Sequence, residues 1–297
     1  MTGAGDRYGT AAQAVVDAAY AVAAHRPTVP TCTTVDDLLV ALRTAGDPVV
    51  APVLAALGVP EQPIPGSAPV HRPADANLVR VLLTAASVAG RFGAAGIEPV
   101  HLLLAALREP DGELAAARTA TGSTVEQVRR RTVGGYLGVR GLTDALDAAA
   151  GRAVVDAGVR AGRAGATETG PDHLLLALAT GDEPGVAEAL SVLAAHDRSP
   201  AGDPDQPARL LPLSTAGHEA LAWAMCLLVD GDDTTDARSA PPTIGVADLA
   251  RALLDQAAAA GSAVLDRHGV DPRRLRADVD RRSRTPPPSV SGNTSSG

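Results

Sequence analysis

The chain predicts an all-α protein made of a repeated helical unit, and three observations carry that prediction. The phrase PVHLLLAALREPDGE beginning at Pro99 returns as PDHLLLALATGDEPG at Pro171. Alternating Val/Ile/Thr runs that would mark strands are hard to find, and aromatic residues make up only 2% of the chain. Segments of helical length dominated by Ala, Val and Leu recur along the whole sequence. Cores of such small side chains let helices approach closely. Each alanine buries little area at ~25 cal/mol per Å², so stability rests on many contacts rather than a few large anchors.

A fixed spacing orders the elements. Two weaker copies, TTVDDLLVALRTAGDP from Thr33 and IGVADLARALLDQAAAAG from Ile244, keep the same frame of Asp or His, then leucines, then Ala-Leu. Asp37, His101, His173 and Asp248 align at separations of 64, 72 and 75 residues, which divides the 297 residues into four repeats. Each repeat opens with an Ala/Val-rich helix, starting near Thr10, Asn77, Leu142 and Leu213. Thr10 with Gln13 reads as a capping box, and Thr143 and Ser214 read as hydroxyl N-caps that satisfy an orphan N–H of the first turn. The second helix carries the phrase. Leu102, Leu103, Leu104 and Leu107 cover more than one face, so this helix is expected to be buried on most sides. A third helix follows each acidic Gly/Pro turn, from Val49, Glu113, Gly185 and Gly261.

Repeats two and four add an Arg-rich fourth helix, with Ser123 and Glu126 as a capping box in one and Asp271-Pro272 as the start in the other. The repeats therefore pair as one with two and three with four. The expected domains are 8–135 (repeats 8–60 and 75–135) and 142–282 (repeats 142–197 and 213–282). They are joined by a linker at 136–141, with a flexible start at 1–7 and a disordered tail at 283–297.

Composition narrows function. A formal net charge of -8 disfavours a nucleic-acid partner. No lysine is present, so the chain offers no ε-amine for tagging and cannot form the lysine-bearing phosphate loop G-x-x-x-x-G-K-[ST]. Cys32 and Cys226 are few and far apart, as in a reducing compartment, and no apolar run reaches the ~18 residues of a membrane span, so a cytoplasmic location with no membrane partner is expected. There is no H-E-x-x-H, no close Cys/His cluster and no G-x-S-x-G turn. Neither a metal, a cofactor, a catalytic residue nor enzyme activity is expected. His101 and His173, each opening a leucine helix, read as structural hydrogen-bonding groups. Phe92 and Trp223 read as core, and Arg129–Arg131 with Arg273, Arg274 and Arg276 as solvated helix faces.

The paired repeats, and above all GPDHLLLALATGDEPGVAEAL and EPVHLLLAALREPDGELAAA followed by TVEQVRR, resemble the N-terminal (Clp repeat) domain of the Clp protein-unfolding ATPases. The resemblance covers nearly all of residues 8–282 and implies two tandem copies of that domain without the ATPase modules. It implies a helical receptor for substrates, adaptors or peptide-like inhibitors, with Clp protease components as partners. Some members of the family bind phosphorylated arginine. An acidic residue just before the phrase's histidine meets the guanidinium, and a threonine at the start of the first helix lies near the phosphate. Carried over, repeat three keeps Thr143 and Asp172, and repeat one keeps Asp36 but has Gly9 in place of the threonine. Repeat two has Asp75 and Val100, and repeat four has Ser214 and Ala247. The resemblance thus implies Thr143, Asp172, Asp36 and Ser214 as ligand-binding residues. A free-standing accessory or decoy in Clp-dependent proteolysis is the expected role, and a scaffold with decayed ligand sites is the alternative.

Overall fold

A computed structural model describes residues 7–26, 32–63, 72–109, 113–195, 211–230 and 243–283. Residues 284–297, most of the expected tail, lie outside the described residues, as do residues 1–6, 27–31, 64–71, 110–112, 196–210 and 231–242. Among the described residues the chain is all-helical, with four isolated β-bridges and no sheet.

Repeat one supplies α1 (Thr10–Ala24), α2 (Val35–Thr44) and α3 (Val50–Ala56). Repeat two supplies α4 (Ala76–Arg91), α5 (Pro99–Ala106), α6 (Glu113–Thr121) and α7 (Val125–Arg140). Repeat three follows with α8 (Ala148–Arg163), α9 (Pro171–Ala179), α10 (Pro184–Ala189) and α11 (Ser191–Ala194). Repeat four has α12 (Thr215–Asp230), α13 (Val246–Ala260), α14 (Ala263–His268) and α15 (Pro272–Ser283). The extra Arg-rich helices of repeats two and four are α7 and α15. α1 packs on α2, α4 on α5, α8 on α9 and α13 on α15.

The chain divides into two compact units, Met1–Ala145 with Met225–Thr243, and Leu146–Ala224 with Ile244–Gly297. In the first, Leu38, Leu39, Leu42, Leu102 and Leu103 are fully buried, and every residue of α5 is buried. Phe92, His101 and Tyr136 complete that core as a trio with ring centroids 5.4 to 5.7 Å apart. In the second, Leu174, Leu175, Leu178, Leu190 and Leu193 play the same part.

Several starts and stops differ from the sequence expectation. Gly9, not Thr10, is the N-cap of α1, and Gln13 turns its amide to Asp17 Oδ1 at 3.0 Å instead of closing a capping box. The box of α7 is one residue later than Ser123/Glu126. Thr124 Oγ1 accepts from the Gln127 N–H at 3.1 Å, and Gln127 Oε1 accepts from the Thr124 N–H at 2.9 Å. The stretch 136–141 is no free linker, because α7 runs through it to Arg140 and ends on Gly141 at φ +94°. Just ahead of it, Gly135 packs closely. A Cβ on Gly135 would stand 3.0 Å from Val49 Cγ1, so glycine permits the close approach that a larger residue would block. Cys32 and Cys226 are free thiols.

Candidate functional site

The aligned Asp or His of each phrase does one job in all four repeats. It stands at the third position of the second helix, and its side chain accepts the N–H of the N-cap residue, one of the donors a helix start leaves without a partner. Asp37 Oδ2 takes the Thr34 N–H at 2.9 Å, and His101 Nδ1 takes that of Glu98 at 3.0 Å. His173 Nδ1 takes the Gly170 N–H at 3.1 Å, and Asp248 Oδ2 takes that of Gly245 at 3.2 Å. The two carboxylates each meet an arginine, Arg26 on Asp37 and Arg251 on Asp248, both at 2.8 Å. A buried charge is tolerable only with such a partner. The imidazoles do the same work as neutral acceptors. Burial draws the His173 pKa below the ordinary imidazole range, against the opposing pull of Asp172's charge.

Directly ahead of each of these N-caps lies a parallel bridge to a first helix, and the first helix always belongs to the other repeat. Tyr8 pairs with Ile97 and Thr33 with Ala74 in the first unit, while Leu146 pairs with Ile244 and Thr169 with Leu213 in the second. Backbone bonds lock the crossings: Gly9 N–H to Ile97 O and Asp75 N–H to Thr33 O, both 2.9 Å, Asp147 N–H to Ile244 O at 3.1 Å, and Ser214 N–H to Thr169 O at 3.0 Å. The N-termini of α1 and α5, α4 and α2, α8 and α13, and α12 and α9 are thus brought together in pairs.

This exchange rearranges the predicted site. Thr143 does not start the first helix of repeat three. It sits in a 3-10 turn, Leu142–Ala145, and α8 begins at Ala148 behind Asp147, whose carboxylate accepts the Ala150 N–H at 2.7 Å. An aspartate outcompetes the upstream threonine because its short carboxylate caps the turn where the apolar periodicity begins. The first helix whose start crosses α9, the helix of Asp172, is therefore α12 of repeat four, not the segment that holds Thr143. Ser214 caps α12 by accepting the Gly217 N–H at 3.1 Å, and a Cβ on Gly170, the N-cap of α9, would lie 4.0 Å from its Oγ. By the same exchange the start that crosses α2, the helix of Asp36, is that of α4, where the N-cap is Asp75, with Oδ1 accepting the Leu78 N–H at 2.6 Å. Only the α9/α12 crossing joins a hydroxyl N-cap to an acid preceding the phrase's histidine.

Asp172 is already engaged. Its Oδ1 accepts the Ser262 hydroxyl at 2.5 Å and its Oδ2 the Val264 N–H at 3.3 Å, so it fastens the start of α14 to α9. Each oxygen keeps a lone pair for a further donor. On the other side of the second unit, α13 and α15 are tied by a chain of half-buried charges. Arg251 bridges Asp248 and Asp280, each at 2.8 Å, and Arg276 reaches Asp280 and, at 3.3 Å, Asp255. Trp223, predicted as core, is half-buried and donates its indole N–H to Asp255 Oδ2 at 3.2 Å. No group of His, Cys, Asp and Glu among the described residues could hold a metal ion.

Residues 75–193 match the Clp repeat (R) N-terminal domain. The match runs from α4 to α11, so it takes in repeats two and three, the two that carry the histidine form of the phrase. These are neighbours in sequence, whereas the crossings of the structure join repeat two to one and repeat three to four. No curated protein matches the chain.

The exchange has a signal in the sequence beyond the repeated phrase. The residue before each second-helix N-cap is β-branched, Thr33, Ile97, Thr169 and Ile244, and all four are buried. β-branched side chains suit extended backbone, which fits a single pairing position between two helices.

Proposed function

We propose that this chain is a non-enzymatic protein- or peptide-binding protein built as two tandem Clp N-like domains, acting as an accessory, adaptor or decoy in Clp-dependent proteolysis. The observation that carries the reading is the Clp-repeat match over residues 75–193. Recurrence of the same exchanged crossings in both units supports extending it to the whole chain. Its partners are Clp components, their substrates and adaptors, or peptide-like inhibitors. The α9/α12 crossing, with Asp172 as acceptor for a guanidinium and Ser214 as hydroxyl donor, is the best-equipped ligand site.

The test is isothermal titration of the full chain with phosphoarginine, beside co-purification from lysate with identification of what is retained. Asp172→Ala or Ser214→Ala is expected to weaken binding by about tenfold, the scale of one lost hydrogen bond to a charged group. Thr143→Ala is expected to leave it unchanged. Silence towards phosphoarginine together with recovery of neither Clp components nor their clients overturns the reading. The engagement of Asp172 by Ser262 and Val264 favours a second one, a scaffold whose ligand sites have decayed. In that case Asp172→Ala lowers stability without altering any titration.

A further inference from the structure

The second unit carries a groove remote in chemistry from the α9/α12 crossing. It has a volume of about 400 Å³ and lies along α8, the turn after α9 and the first residue of α13. Ala153, Leu178 and Val246 are buried beneath it, and Val155 on its wall is 48% exposed, an apolar side chain left facing water. The charged residues lining it are Arg152, Asp156, Asp182 and Glu183, three carboxylates to one guanidinium. The lining cation is loosely committed, with Arg152 Nε 3.9 Å from Asp182 Oδ2 and both side chains largely exposed, while a second guanidinium, that of Arg160, reaches the rim and donates to Thr180 Oγ1 at 2.7 Å. The equivalent arginine of the first unit is fully used. Arg80 Nε and Nη2 grip Glu109 Oε1 and Oε2 at 2.8 and 2.5 Å, beside the exposed Leu83.

The acids of the groove do not converge as metal ligands do. Spread carboxylates around an apolar floor suit a cation delivered on a long aliphatic stem, whose methylenes cover apolar surface while its head reaches the acids. We infer that this groove docks an arginine-bearing peptide segment, with the stem over Ala153, Leu178 and Val155 and the guanidinium among Asp156, Asp182 and Glu183. The inference does not rest on the phosphoarginine site, and no phosphate is needed here; an anionic group would meet three like charges.

The full chain is titrated with the pentapeptide acetyl-Ala-Arg-Ala-Arg-Ala-amide and with its glutamate counterpart, with amide chemical shifts read in parallel. The basic peptide is expected to bind and to shift the amides of 152–156 and 180–183, and the acidic peptide to leave them in place. Replacing the acids together (Asp156→Asn, Asp182→Asn, Glu183→Gln) is expected to weaken binding by about tenfold, as for a few exposed ion pairs. Arg152→Ala removes the competing cation and is expected to tighten binding. Should the triple variant fold poorly, the Arg152→Ala gain and the shift map decide alone. Equal binding of both peptides, shifts centred elsewhere, no gain from Arg152→Ala, or no binding overturns the inference. Phosphoarginine silence in the same protein bears on the crossing alone.

Discussion

His101 and Asp37 occupy the same place in their repeats, and their surroundings set which side chain each must be. Asp37 is fully buried with Arg26 against it at 2.8 Å, and His101 is fully buried against Phe92 and Tyr136. Arg26→Ala leaves a buried carboxylate short of its cation and is expected to lower stability by about 2–3 kcal/mol in chemical denaturation. His101→Ala empties the ring site and strands the Glu98 N–H, with an expected loss of about 3 kcal/mol by the same measurement. His173 titrates with a sign that can be worked out. Its folded pKa lies below the ordinary imidazole range, so the unfolded chain binds the proton more readily. Its contribution is whole above that range and declines as pH falls through it. Burial raises the pKa of Asp280, but the bonds from Arg251 and the charge of Arg276 overcome this and hold it low. That contribution is lost further down, as pH falls through the carboxylate range. His173→Asn, which keeps an acceptor for the Gly170 N–H, is expected to flatten the first decline in a stability-against-pH series and leave the second.

At the level of helices, the apolar segments and the spacing of the phrase were legible because burial repeats with the period of the helix. All four second helices and both Arg-rich fourth helices lie where that pattern placed them. Their starts were less legible, because neighbouring residues of similar chemistry compete to cap and the winner depends on where the first turn packs. Thr124 displaces Ser123, and Asp147 makes Thr143 a bystander in the preceding turn. The pair is separable by mutation. Thr124→Ala is expected to lower stability by about 1 kcal/mol, the usual worth of a side-chain N-cap, and Ser123→Ala by much less, read from denaturation midpoints. Ser214→Ala is expected to match Thr124→Ala in stability. The candidate site was half legible for the same reason: Asp172 and Ser214 were recognised singly, but the crossing of their helices follows from a backbone pairing, Thr169 with Leu213, that side-chain patterns do not encode.

Across each unit, the crossings make the repeats mutually dependent. The amides of Gly9, Thr33, Asp75, Ile97, Asp147, Thr169 and Ser214 lie outside the helices, yet each donates to a backbone carbonyl across a crossing. Such groups open only when two repeats part. Their exchange with deuterium is therefore expected to be as slow as that of helix interiors, against the fast exchange ordinary for connecting segments. Fast exchange at these amides would mean that the repeats separate freely.

The shared start of a first helix from one repeat and a second helix from its neighbour has a consequence for heredity. A ligand cleft at such a junction is inherited in halves, one from each copy. Each copy gives one wall to each of the pair's two junctions, so loss of one copy halves both at once, whereas a single substitution touches only one. A pair of repeats is therefore the smallest segment that carries a whole one.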